Sequence, residues 1–549
     1  MPADTRSTTR TIYRNCSIFT AGEQGFAESL VVEGDRLAWV GDAETAERMA
    51  GDSPQVVDLA GSLVVPGFID AHTHLMMMGQ SLQKVGLVDA GNLEEIQRRL
   101  LAAREAAPDA ELILGVSWLF DHVPGGTPTR QMLDDAIADI PVYLDANDFH
   151  SCWVNTAALR EMGITKDTPD PIGGTIVKDP TTGEPTGLLL ETAAQQHVWS
   201  TLAAKVSDEE RDDALARTFS TYLAAGVTGG IDMALNELDL QALDRAQSSG
   251  GGTLPIRVVG HWFIERTDSA EGNVQQVDRA IGLAKSVCSP WLRVAGIKIV
   301  VDGVIDACTA AMTKPFADGS LPGPIWDLES LVPVVTAADA AGLQIAIHAI
   351  GDEASDIALT ALERAYSVNG ARVRRHRIEH LEVVKPENVE RLARLGVVAS
   401  MQPVHADPAI QSNWRSVLGD DRVDRGYPWP EFTDAGARLA FGTDAPTAPY
   451  PALPNLFVAA TRRSALDPTL EPNISALAVP LSEAIGHATR DAAWSCGAET
   501  DLGRLETGML ADFTVIDTDP FVSGVESLLD ARIVRTVVGG KTSFAAASD

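Results

Sequence analysis

Two histidines one residue apart, His72 and His74, close the apolar run Leu63–Leu75, LVVPGFIDAHTHL. Alternate side chains of an extended strand share a face, so both imidazoles project together and can hold one cation. A polar group ending an apolar segment recurs at His348 in QIAIHAIGD, at His380 in RHRIEHLEV and at Asp444 in RLAFGTDAP. An HxH pair alone is as readily a buried polar layer as a metal pair, and the three further clusters favour the metal. Nitrogen and oxygen donors without cysteine suit one or two divalent ions, Zn(2+) first, with Mn(2+) or Fe(2+) as alternatives.

Side chains gathered from separate strand ends need a sheet that brings those ends together. Asp327–Ala341 reads as a helix with Asp327 as N-cap, stopped by Gly342 and followed by the strand Leu343–His348. A helix from Pro386 to Leu395, Gly396 and the strand Val397–Gln402 repeat the unit, as do Pro430–Ala435, Gly436 and Leu439–Gly442. Earlier, Ser207 and Glu210 form a capping box for a helix to Ala225, Gly226 closes it, and Val227–Ile231 is a strand. Near-continuous apolar strands separated by helices indicate a parallel sheet covered on its faces. No glycine-rich phosphate loop follows any of these strands, which favours a barrel over a nucleotide-binding doubly wound sheet. Barrel sites are built at the C-terminal strand ends, where the polar residues above all lie.

The expected fold is therefore α/β, a (β/α)8 TIM barrel with a small β-sandwich domain formed by both chain ends and a large insertion after barrel strand 1. Short β-rich segments at Thr11–Thr20, Ser29–Glu33, Arg36–Val40, Ala511–Asp517 and Ile533–Val538 supply the small domain. The expected boundaries are 1–64 with 500–549 for that domain, 65–78 with 226–499 for the barrel, and 79–225 for the insertion over the active site.

With 76 acidic against 43 basic residues the chain carries a formal charge of −33, the wrong sign for nucleic acid or an anionic membrane. Five scattered cysteines, Cys16, Cys152, Cys288, Cys308 and Cys496, form no CxxC pair, which reads as a reducing compartment. A cytoplasmic protein acting on a small-molecule substrate is expected, without nucleic-acid or membrane partners, and a homodimer is compatible with it.

PGFIDAHTH, HAIGD, RIEH and GTD stand in the order and spacing of the amidohydrolase superfamily, metal-dependent hydrolases with a (β/α)8 barrel. With Asp148–Asn155, Pro185–Glu191 and SMQPVH at Ser400–His405, the chain resembles the YtcJ-like branch, which includes N-substituted formamide deformylases. The resemblance covers Thr11 to Phe544. It implies that His72, His74 and Asp444 hold a first ion and His348 and His380 a second, with Asp444 as general base and then acid.

Lys298, in the apolar strand VAGIKIVVDG, gains meaning from this resemblance. The chain has only nine lysines to 34 arginines. Burial lowers a lysine pKa, and a neutral amine can add CO2 to give a carbamate with two oxygens for bridging metals. Family members with a lysine on strand four use it so; the alternative is a salt bridge to Asp302 or a nearby carboxylate. Weaker candidates for substrate contact are His150, Trp118, Gln402 and His405. Phe149, beside His150, stands where the family has glycine. His376 reads as a core histidine, and Glu191 has no assigned role. The expected activity is metal-dependent hydrolysis of a C–N amide-type bond in a small, largely apolar substrate such as an N-substituted formamide or N-acyl amine. Alternatives are a cyclic amidase or deaminase on the same barrel; a non-catalytic binding protein is disfavoured because all six ligand positions are filled.

Overall fold

The computed structural model describes residues 10–547. Eight parallel strands follow one another around a single sheet in chain order: β1 Phe68–Thr73, β2 Val227–Leu235, β3 Arg257–Phe263, β4 Leu292–Val300, β5 Gln344–Ala349, β6 Arg377–His380, β7 Val398–Met401 and β8 Arg438–Phe441. The seam between β8 and β1 is closed just beyond the strand ends. Asp444 N donates to His72 O at 2.7 Å and His74 N to Ala445 O at 3.0 Å. Three of the expected ligands thus lie on the hydrogen bonds that complete the barrel.

Helices connect the strands where the sequence places them. Asp327 caps Leu328–Ala340 by accepting from Ser330 N, and Ser207 and Glu210 form the capping box of Asp208–Ala224. Gly396, with φ 66°, ends Pro386–Leu395 in the left-handed turn that glycine adopts without strain. Ile297, Ile299, Ile345, Ile347 and Ile378 pack with Leu331, Val335 and Leu359 in the apolar layer between sheet and helices. The helix Asp208–Ala224 lies against Leu75–Ser81: Thr218 Oγ1 donates to Leu75 O at 2.8 Å, and a Cβ on Gly79 would stand 1.9 Å from Ala214 O. Only glycine permits that approach.

Both chain ends share one sheet. Leu63–Pro66 pairs antiparallel with Phe513–Ile516 in a six-stranded sheet, and a four-stranded sheet from Thr11–Asp58 packs over it through Tyr13, Leu30, Leu37, Val64, Phe513 and Val537. The buried pair Arg257–Asp512, with Nε–Oδ2 2.7 Å and Nη2–Oδ1 3.1 Å, ties β3 to this unit. Between β1 and β2 the chain builds a further six-stranded mixed sheet, from Val85–Gly86 to Pro185–Glu191, around a core that includes Trp118, Trp153, Leu133 and Leu144. The five cysteines are unpaired, and among the described residues no helix is long and apolar enough to cross a membrane.

Candidate metal centre

The HxH pair behaves as strand alternation requires. The His72 and His74 rings lie 5.5 Å apart, and their Nε2 atoms stand 3.3 and 3.0 Å from the same oxygen, Asp444 Oδ1. His380 arrives by a different route. In β6, Arg377 and Glu379 face the barrel interior, while His376 points outward to Asp339 of the helix Leu328–Ala340 at 3.0 Å. Simple alternation would send His380 outward too. Its φ of 76° turns the chain so that its Nδ1 comes within 4.0 Å of Asp444 Oδ2. Asp444 is itself left-handed, with φ 59°. Such backbone strain in non-glycine residues persists where the surroundings over-determine it, and it clusters at functional sites.

Among the described residues, two sets of donors converge closely enough to hold an ion: His72, His74 and Asp444, and His380, His405 and Asp444. The His348 ring stands 4.4 Å from that of His380 but aims Nε2 at Asp302 Oδ1, 3.6 Å away, and at Gly303 O, 3.4 Å away. Here His405 occupies the place expected of His348. It stacks on His380 at 5.9 Å and reaches Glu382 Oε1 at 3.7 Å and Thr447 Oγ1 at 3.1 Å.

The donor set fits a cation. His72 Nε2, His380 Nδ1 and Asp444 Oδ1 are buried without a hydrogen-bond partner, a costly state unless something else satisfies them. Burial, followed by the charge of Lys298, lowers His72 to about 4, and burial holds His348 and His380 well below the usual range. Neutral imidazole is the metal-binding form. For Asp444 burial acts upward, but His72, His74 and His380 hold its carboxyl well below the ordinary value. The histidines are oriented from behind: His72 Nδ1 lies 2.7 Å from Glu379 Oε2, and Glu379 is clamped by Arg377 Nε at 2.5 Å. Such outer partners fix ring orientation and tautomer.

Lys298 is 2% exposed and faces the barrel interior, since Ile297 and Ile299 pack on the helix side. Burial lowers its pKa to about 8, against the opposing charges of Glu379 and Asp444. It does not pair with Asp302, whose carboxylate instead accepts from the backbone of Ile350, Gly351 and Ala311 at 3.0, 2.8 and 3.0 Å.

Of the residues expected to meet substrate, His150 lines the cavity that contains Asp444, His348, His380 and His405. Gln402 is fully buried with neither amide atom partnered. Extended at φ −120°, it continues the face of Ser400, which Arg377 bonds inside the barrel. Trp118 is not brought to the centre. It is buried in the inserted sheet, its indole N–H donating to Leu144 O at 3.0 Å, and touches only a neighbouring recess beside Asp148 and Asp306. Sequence reasoning gave no role to the acids that line the cavity, Asp148, Asp306 and Glu382, nor to Glu379 behind His72, although Asp148, Glu379 and Glu382 stand within or beside the quoted motifs. A second cavity of about 350 Å³ begins at His74 and runs between the barrel and the inserted sheet past Met76, Met77, Phe149, Trp199 and Leu202.

Comparison with known proteins places the chain in a family. The model of the Amidohydrolase family matches residues 55–544. Protein LONG AFTER FAR-RED 3 of Arabidopsis thaliana is 31% identical over 96% of this chain and 91% of its own length. Putative amidohydrolase YtcJ of Bacillus subtilis is 30% identical, covering 97% and 99%, and N-substituted formamide deformylase of Arthrobacter pascens is 27% identical, covering 94% of both. The crystal structure of an uncharacterized metal-dependent hydrolase from Pyrococcus furiosus superposes with a TM-score of 0.71 at 27% identity over 93% of this chain and 99% of that one. A donor set built for a cation at the mouth of an eight-stranded barrel, in a chain matched almost end to end, leaves one assignment: the protein belongs to the amidohydrolase family.

Proposed function

We propose that the protein is a metal-dependent hydrolase of a C–N amide-type bond in a small, largely apolar substrate, an N-substituted formamide or N-acyl amine. The observation that carries this reading is the pair of donor sets that share Asp444 at the barrel mouth, His72 with His74 and His380 with His405, in which His72 Nε2, His380 Nδ1 and Asp444 Oδ1 are buried and unpartnered. The choice of substrate class draws support from the relative named N-substituted formamide deformylase. His72, His74 and Asp444 hold one divalent ion, Zn(2+) in the first instance. His380 and His405, with Asp444, would hold a second, His348 standing beside them with its Nε2 turned to Asp302 and Gly303 O, and the Lys298 amine, as its carbamate, would supply a further oxygen ligand. The bound metal lowers the pKa of water toward neutrality and polarises the carbonyl oxygen.

The chain's own groups do the rest. Asp444, its carboxyl held well below the ordinary value, takes a proton from the attacking water at its carboxylate. The cavity beside His74, about 350 Å³ and lined by Met76, Met77, Phe149, Trp199 and Leu202 together with charged groups such as Lys84, Asp145, Arg211 and Asp232, receives the substrate's substituent. A panel of formamides, N-acyl amines, carbamates and cyclic amides, given to metal-replete protein, tests the assignment. Equimolar amine and carboxylate from the first two classes is expected; turnover confined to cyclic amides or to deamination would replace it.

A further inference from the structure

His150 and Glu191 come from strands of the inserted sheet that are paired, with Ser151 opposite Leu190. Glu191 N donates to His150 O at 2.6 Å, and Glu191 Oε2 lies 2.5 Å from His150 Nδ1. The other carboxylate oxygen accepts the Thr309 hydroxyl at 2.6 Å, from the loop after β4. A Cβ on Gly303 would stand 2.3 Å from Glu191 Oε1, so the carboxylate is seated against bare backbone. Phe149 and Glu191 both hold left-handed backbones, φ 52° and 54°, a strained conformation for residues with a Cβ. This histidine is braced by the paired strand of the inserted sheet and, through Glu191, by the loop after β4, and its ring stands 5.0 Å from that of His348 in the cavity that contains Asp444.

We propose that His150 protonates the departing nitrogen and that Glu191 is its positioning residue, fixing Nδ1–H toward itself and turning Nε2 to the substrate. The proposal rests on the amide-hydrolase reading above and divides acid from base between two residues. Water oxygen bonds to the carbonyl carbon while its proton passes to Asp444. The C–N bond then breaks, its electron pair stays on nitrogen, and nitrogen takes the proton from His150 Nε2. Asp444 loses its proton to solvent and His150 regains one, so one water is consumed and amine and carboxylic acid leave. A carboxylate behind an imidazole serves acid–base catalysis by holding tautomer and orientation.

The test compares N-benzylformamide, whose amine must be protonated to leave, with 4-nitroformanilide, whose amine departs as a weak base. In metal-replete Glu191→Gln, kcat for N-benzylformamide is expected to fall about 100-fold and for 4-nitroformanilide only a few-fold, with KM and metal content unchanged. Thr309→Val, which removes one hydroxyl, gives a smaller loss with the same selectivity and serves if the first variant folds poorly. Equal losses on both substrates, or a change in KM alone, would overturn the proposal while leaving the hydrolase reading intact. Failure of the parent protein to hydrolyse either substrate would overturn both.

Discussion

Replacing Lys298 by methionine separates what that side chain costs the fold from what it does for the site. Lys298 is 2% exposed and its pKa drops from the ordinary 10.5 to about 8, chiefly through burial. At about 1.36 kcal/mol per unit, a 2.5-unit depression makes the buried ammonium cost roughly 3 kcal/mol at pH 7. A lysine whose folded pKa lies below its unfolded value binds fewer protons when folded, so this cost shrinks as pH rises from about 8 to 10.5. Methionine keeps the apolar stem and length. After chelation, Lys298→Met should therefore unfold at a higher temperature than the parent at pH 7, by a few degrees, with the gap vanishing near pH 10.5. The same variant should lose bound metal and turnover, with partial rescue of activity by short carboxylates. Thermal unfolding at the two pH values and metal analysis read both effects. A variant less stable than the parent at pH 7, a gap that ignores pH, or unchanged metal content would refute the account of Lys298.

Asp444→Asn should retain much of the metal, since His72 and His74 remain, yet lose kcat by about 100-fold or more; near-normal kcat would remove Asp444 as base. Phe149→Gly relieves left-handed strain at φ 52° while opening the wall of the cavity beside His74. KM for formamides with aromatic substituents should rise several-fold and kcat for the smallest formamides should hold, and an unchanged KM would show that the ring does not meet substrate. Asp512→Ala strands Arg257 in the interface between β3 and the terminal sheet, where both partners are under a tenth exposed. A loss of about 3–5 kcal/mol in chemical unfolding is expected, and a loss under 1 kcal/mol would show that the pair does not tie the two units.

The parts of the molecule readable from sequence are those governed by local rules. Capping at Asp327 and Ser207, the stop at Gly396 and the shared face of His72 and His74 follow from neighbours within four residues. Asp208–Ala224, grouped with the insertion on length alone, packs against Leu75–Ser81, because Gly79 allows an approach that periodicity does not reveal. His380 was identified by its motif, but alternation alone points it away from the site, and only its positive φ corrects that. The pairing of His150 with Glu191 depends on the register of two strands 41 residues apart, and the place of Trp118 in a closed core on packing across the inserted sheet. Long-range register and barrel closure set which acids surround the metal centre, and neither leaves a local mark.

The central claim is metal-dependent cleavage of an amide-type C–N bond, and the direct measurement is product stoichiometry with and without metal. N-benzylformamide incubated with metal-replete protein should yield formate and benzylamine in equal amounts. Chelation should abolish the reaction and Zn(2+) restore it. Equal turnover by chelated protein, or no cleavage of any formamide or N-acyl amine by protein of verified metal content, would contradict the account.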